Sequence, residues 1–201
     1  MMYPFQRRPT NRERAYFMEH FEETIATRRI YEGRIINMRE DTVRLPSGRT
    51  ANREIVEHNG AVCIVPLLED GRVTVVRQFR KPAEDVLLEI PAGGLKAGED
   101  PEQCARRELM EECGQRAGRM THLFSFYLAP GYSTELLHCF LAEQLEQLEA
   151  TPDEDENVEM ELHTLPSLLD MVDDGRIRDS KTICGLLALH RRNQLAAVLN
   201  E

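Results

Sequence analysis

Short apolar runs punctuated by turn residues fill most of the chain. β-Branched and alternating positions predict strands over Thr24–Tyr31, Arg34–Met38 and Thr42–Leu45, then a turn at Pro46-Ser47-Gly48 and another strand within Arg49–Glu57. Ala61–Leu68 is almost continuously apolar, the pattern of a strand buried on both faces. Asp70-Gly71 predicts a hairpin turn that returns Val73–Val76 beside it, and Val86–Ile90 predicts a further strand running into Pro91-Ala92-Gly93-Gly94. Asp100-Pro101, a cap followed by proline at the first helical position, opens a helix that runs to Cys113 and stops at Gly114. Strands follow at Thr121–Leu128, Leu136–Glu143 and Val158–Leu162, and helices at Pro166–Asp174 and from Ser180 to about Leu199. Glu143–Glu156 reads as an acidic loop, and the polar first twenty-odd residues as a frayed arm or a short helix. Strands, one helix, more strands and terminal helices predict an α+β fold rather than a doubly wound parallel sheet.

Composition narrows the functional classes. The 201 residues carry 25 Lys and Arg against 35 Asp and Glu, a formal charge of −10. That mean field repels phosphate, so no nucleic acid and no anionic membrane is expected as a partner. A phosphate-ester substrate would then need a local cation, and a divalent metal is the obvious one. No window approaches the roughly 20 apolar residues that span a bilayer. Met1–Arg14 has basic residues without an apolar core, so no secretory address is expected. Cys63, Cys104, Cys113, Cys139 and Cys184 are odd in number and form no C-x-x-C pair. Reduced thiols in a cytoplasm are the expectation.

The helix after Pro101 holds the candidate chemistry. Glu108, Glu111 and Glu112 stand at i, i+3 and i+4 and share one helical face. Like charges at that spacing repel, so the cluster is either a solvated charged face or a site for a hard divalent ion with oxygen ligands. Arg107 lies four residues before Glu111 and can pair with it. His138 and His163 read as core or strand-edge residues, Cys104 as a small buried filler, and Ile183, Leu186, Leu187 and His190 as a core stripe.

The surrounding residues favour the metal. Gly93, five residues, Glu99, seven residues, and then Arg107-Glu108-Leu109-x-Glu111-Glu112-x-Gly114 resemble the signature box of the Nudix hydrolases. The departure is Gln115, where the pattern carries an aliphatic residue; it touches packing at the end of the box. The chain is similar to the ADP-ribose pyrophosphatase branch through Arg53-Glu54-Ile55-Val56-Glu57-His58, Arg77-Gln78-Phe79-Arg80-Lys81-Pro82 and Leu88-Glu89-Ile90-Pro91-Ala92-Gly93. The similarity continues through Ala129-Pro130-Gly131-Tyr132-Ser133-Thr134-Glu135, Asp153–Glu156 and Ile177–Thr182.

This resemblance implies an α/β/α sandwich of mixed sheet with a small N-terminal antiparallel sheet. The expected organisation is an arm over 1–22, a dimerisation sheet over 23–58 and the hydrolase domain over 59–201. The implied reaction is Mg²⁺-dependent cleavage of ADP-ribose to AMP and ribose 5-phosphate, with Mn²⁺ as a substitute. Glu108, Glu112 and the Ala92 carbonyl would ligate metal. Glu111 would bind a second ion or orient a ligand, and Glu99 and Arg107 would tie loop to helix. The general base is expected at Glu154, with Glu156 as runner-up. Arg53 and Arg80 are candidates to hold the diphosphate, or else ordinary strand-edge charges. Glu135 would touch the terminal ribose or a metal-bound water, or simply form a turn. GDP-mannose or another nucleotide sugar is the alternative substrate, and a non-catalytic nucleotide sensor is the alternative from another class. The resemblance also implies a homodimer formed through the N-terminal strands.

Overall fold

A computed structural model describes residues 10–149 and 158–199. The chain packs as two units, one running to His58 and including Gly131–Thr134, the other formed by Asn59–Pro130 and the chain from Glu135 onward.

In the first unit the polar start forms a helix, α1 (Asn11–His20). A capping box fixes its entry: Thr10 Oγ1 accepts from Glu13 N at 3.3 Å while the Glu13 carboxylate accepts from Thr10 N at 2.7 Å. Strands β1 (Glu23–Glu32), β2 (Asn37–Arg44) and β3 (Thr50–Glu57) then make an antiparallel sheet in chain order. Where the sequence predicts two short strands, over Arg34–Met38 and Thr42–Leu45, there is one. The charged residues between them do not break the ladder, because each finds a partner. Glu40 accepts from Arg28 at 3.1 Å, buried Asp41 accepts from Thr27 Oγ1 at 2.8 Å, and Arg39 pairs with Glu57. The Gly131–Thr134 segment lies along β3, with Val56 N donating to Tyr132 O at 2.8 Å and Thr134 N to Val56 O at 3.0 Å.

The second unit is a sandwich. Strands β4 (Ala61–Pro66), β5 (Arg72–Arg80), β6 (Asp85–Glu89), β7 (Ala92–Gly94), β8 (Gln115–Tyr127), β9 (Leu136–Gln147) and β10 (Val158–Thr164) form two sheets, ordered β7-β4-β9-β8 and β10-β5-β6. Among the described residues of this unit, β4 and β9 pair in parallel and the other paired strands are antiparallel. Helix α2 (Pro101–Cys113) packs Cys104, Ala105, Leu109 and Cys113 on one face of the larger sheet, against Val62, Ile64, Phe140 and Ala142. Helices α3 (Leu165–Asp173) and α4 (Ser180–Leu199) cover the other face, setting Leu165, Leu168, Leu186 and Leu189 among Cys63, Val65, Cys139 and Leu141. Every residue of β4 is buried, as its unbroken apolar run requires.

Three expectations are corrected here. The Asp70-Gly71 turn forms, but β5 does not return beside β4. A single Leu67–Val73 bridge joins them before they separate into different sheets, because β4 already spends both edges on β7 and β9. Strand β8 starts six residues earlier than Thr121, directly after Gly114, and Glu143–Gln147 belongs to β9 rather than to an acidic loop. The polar composition of this stretch conceals pairing across the two strands, where Arg116 meets Glu146 and Arg119 meets Glu143 at 2.6 Å. Strand β7 is an addition; its register sets Ala92 opposite Cys63 and Gly93 opposite Val62.

Candidate active site

Helix α2 starts where Asp100 accepts from Glu102 N at 3.0 Å and Gln103 N at 3.2 Å, and Gly114 closes it in the left-handed conformation (φ 60°). Its inward stripe of Cys104, Ala105 and Leu109 fixes the helix's rotation, which turns Glu108 and Glu112 toward β7. Both carboxylates are 7% exposed, so a solvated charged face does not describe them. Glu112 Oε2 accepts from Ala92 N at 3.2 Å. Glu108 lies directly against Gly93: a Cβ built on that glycine would stand 1.9 Å from the Glu108 carboxyl carbon. Glycine is therefore the residue that lets this carboxylate reach the strand.

Arg107 organises the cluster. Its Nε donates to Glu99 Oε1 at 3.0 Å and its Nη2 to Glu99 Oε2 at 3.1 Å, while Nη1 serves Glu108 at 2.6 Å and Glu111 at 2.8 Å. Glu99 also accepts from Lys96 N at 2.9 Å, which folds the loop before the helix back onto it. The Arg107 hydrogen bonds hold Glu99 down at about 2, against the opposing effect of burial. The same pairing raises Arg107, so its charge is fixed at every working pH. Cys104, beneath them, is pushed up to about 12 by burial and stays a thiol. Gln115, at the departure from the box pattern, is 2% exposed and donates to Thr74 Oγ1 at 3.0 Å, so a hydrogen bond replaces an aliphatic contact.

The structure thus gathers Ala92, Glu99, Arg107, Glu108, Glu111 and Glu112 around the junction of β7 and α2. Arg80, at the end of β5, donates Nε and Nη2 to Glu89, each at 2.8 Å, and the Glu112 charge also acts on it. Glu135 immediately precedes β9, and its carbonyl accepts from Leu128 N at 3.2 Å. Arg53 belongs to the N-terminal unit, where its Nε and Nη2 grip Glu22 at 2.8 and 2.6 Å and its Nη1 donates to Asn52 O at 3.1 Å. Glu154 and Glu156 lie outside the described residues. His138 is buried and hydrogen-bonds Ser125 Oγ through Nδ1 at 2.8 Å; His163 meets Glu161 at 2.8 Å. Glu89, the one charged residue inside the apolar run Val86–Ile90, is buried as the partner of Arg80, a placement that the run itself does not predict.

Two buried carboxylates and a third that shares Arg107 Nη1 with one of them are hard-oxygen donors, the kind a divalent cation takes. Among the described residues no group of three or more His, Cys, Asp or Glu is placed to hold a metal ion by itself. The donor chemistry fits an open site completed by backbone, solvent or substrate rather than a structural one.

Residues 57–185 match the NUDIX domain family, and residues 22–56 match the nucleoside diphosphate sugar hydrolase N-terminal domain. The chain belongs to the Nudix hydrolases. Among curated relatives of this Nudix hydrolase, the ADP-ribose pyrophosphatase of Bacillus subtilis (strain 168) is 42% identical over 178 residues, 88% of this chain and 96% of the relative. A Bacillus methanolicus protein described as methanol dehydrogenase activator is 41% identical over 87% of this chain and 95% of its own. The GDP-mannose pyrophosphatase of Yersinia enterocolitica is 38% identical over 65% and 73%. A solved structure described as an ADP compounds hydrolase has the same fold, with a TM-score of 0.77 at 21% identity over 86% of this chain and 94% of that one. Nudix hydrolases use divalent metals, in keeping with the carboxylate cluster. No helix among the described residues is long and apolar enough to cross a membrane.

Proposed function

We propose that this Nudix hydrolase cleaves the pyrophosphate bond of ADP-ribose, with Mg²⁺ as its metal and Mn²⁺ as a substitute. The observation that carries the reading is the 42% identity to an ADP-ribose pyrophosphatase across 88% of the chain and 96% of that relative. Water attacks one phosphorus, the bridging P–O bond breaks, and AMP and ribose 5-phosphate leave. Glu108, Glu112 and the Ala92 carbonyl hold the ion, with Glu111 beside them. When bound, the metal neutralises the diphosphate oxygens and lowers the pKa of water. Arg107 keeps Glu108 and Glu111 in place through its shared Nη1. Arg80 offers a guanidinium to the diphosphate. Arg53, whose nitrogens are engaged by Glu22 and Asn52, takes the same role only by exchanging Glu22. Glu154 takes the proton from the attacking water, with Glu156 as the alternative base, and Glu135 contacts the terminal ribose.

The protein acts as a homodimer through its N-terminal sheet. In support, β1 is exposed along its length, and Ile25, Ile30 and Tyr31 on it, with Ile35 in the turn that follows, present apolar surface. The five free cysteines suit a reducing cytoplasm. GDP-mannose hydrolysis is the second reading, supported by the Yersinia relative over a smaller share of the chain. Phosphatase-coupled assays with the two substrates decide between them. A higher kcat/KM for ADP-ribose upholds the first; a higher value for GDP-mannose replaces the substrate and leaves the site.

A further inference from the structure

Glu89 ends β6 at 1% exposure, and a carboxylate that deep requires charged partners. It has two. Arg80 holds it with a two-pronged grip, and Lys181, in the first turn of α4, donates Nζ to the same carboxylate. Burial pushes Glu89 up, and these two cations more than offset it, keeping the carboxylate below its ordinary range. Lys181 is itself half-claimed, standing 3.1 Å from Asp179 Oδ2. That oxygen accepts from Thr182 N at 2.9 Å and Thr182 Oγ1 at 2.5 Å, and Thr182 Oγ1 in turn accepts from Ile90 N at 2.9 Å. The network leaves β6 through the Glu89 side chain and returns to it through the next backbone amide. Pro91 then gives its carbonyl to Ile64 N at 2.8 Å, and Ala92 meets Glu112. The start of α4 therefore clamps the segment that enters β7.

Arg80 spends two of its three nitrogens on Glu89. Among the described residues Nη1 has no partner, and the side chain is 39% exposed. Without Lys181, this one guanidinium would face both Glu89 and Asp179, and little of its charge would be left for a ligand. With Lys181 shared between the two carboxylates, two cations balance two carboxylates, and Arg80 keeps Nη1 open to a ligand instead of being drawn to Asp179 as well.

We propose that Lys181 and Glu89 are positioning residues, which hold the Arg80 guanidinium for the substrate diphosphate and keep its Nη1 open. This rests on the reading of the site as a diphosphate hydrolase. Lys181 touches no substrate in this account; it acts through Glu89. The test compares wild type, Lys181→Gln and Lys181→Arg by calorimetry, in EDTA, with ADP-ribose and separately with inorganic pyrophosphate. KM and kcat follow with Mg²⁺, and melting curves accompany each protein. Lys181→Gln is expected to weaken binding of both ligands about tenfold and to raise KM by a similar factor, with kcat falling less than about threefold. Lys181→Arg should restore binding to within about threefold of wild type. Wild-type affinity in Lys181→Gln overturns the proposal. So does equal weakness in Lys181→Arg, or a wild-type protein that does not bind pyrophosphate. Absence of turnover on any nucleotide sugar would instead count against the proposed reaction, and the pyrophosphate series still decides the role of Lys181.

Discussion

At the scale of single residues, the site is defined by how closely groups approach. Glu108 reaches β7 because position 93 has no side chain; a Cβ there would stand only 1.9 Å from the carboxyl carbon, so any other residue would displace it. Gly93→Ala must move the Glu108 carboxylate by about an ångström or more, and a shift of that size costs on the order of 10²-fold in rate. Steady-state kinetics should show that loss, while a melting curve close to wild type would separate it from unfolding; full activity in Gly93→Ala would mean that Glu108 is not needed where it stands. Spacing alone disclosed Glu108, Glu111 and Glu112 as one helical face. It left open whether that face was solvated, because burial depends on β7, a strand of three residues with no periodicity to read. Glu89 stayed hidden for a related reason. One charge in an apolar run has no spacing pattern, and its partner Lys181 lies 92 residues away in sequence.

At the scale of elements, α2 was legible at both ends because Asp100-Pro101 and Gly114 are local signals with local causes. The strands were harder. Charged stretches such as Arg39–Asp41 and Glu143–Gln147 look like loops until their cross-strand partners are known, and those partners are distant in sequence. The junction of loop and helix makes a pH prediction. Glu99 is held at about 2 from an ordinary 4.5 by Arg107. A depressed carboxylate contributes stability that is complete above the unfolded value and is lost as pH falls through the folded one. Between about pH 4.5 and 2 the wild type should therefore lose stability that Glu99→Gln has already lost at neutral pH. Denaturation midpoints across that range check it: the gap between the two proteins should close toward the acid end, and a constant gap would contradict the role of the ion pair.

For the whole molecule, a chain of charge −10 has to bind an anion, and the unit around α2 resolves this locally. The carboxylates suit a divalent cation, Arg80 is the proposed second group for the diphosphate, and the chain as a whole keeps its acidic character. Exposed apolar residues of the N-terminal sheet support the proposed homodimer, for which light scattering at assay concentration should return twice the monomer mass; the monomer mass would contradict it. The proposed reaction is metal-dependent cleavage of a nucleoside diphosphate sugar at the Glu108–Glu112 cluster. The most direct measurement is product analysis of ADP-ribose incubated with wild type and Glu112→Gln, each with Mg²⁺ and with EDTA. Wild type with Mg²⁺ should give AMP and ribose 5-phosphate in equal amounts and none with EDTA, and the variant a rate lower by on the order of 10³-fold. Equal turnover in EDTA, or a fully active Glu112→Gln protein, would contradict it.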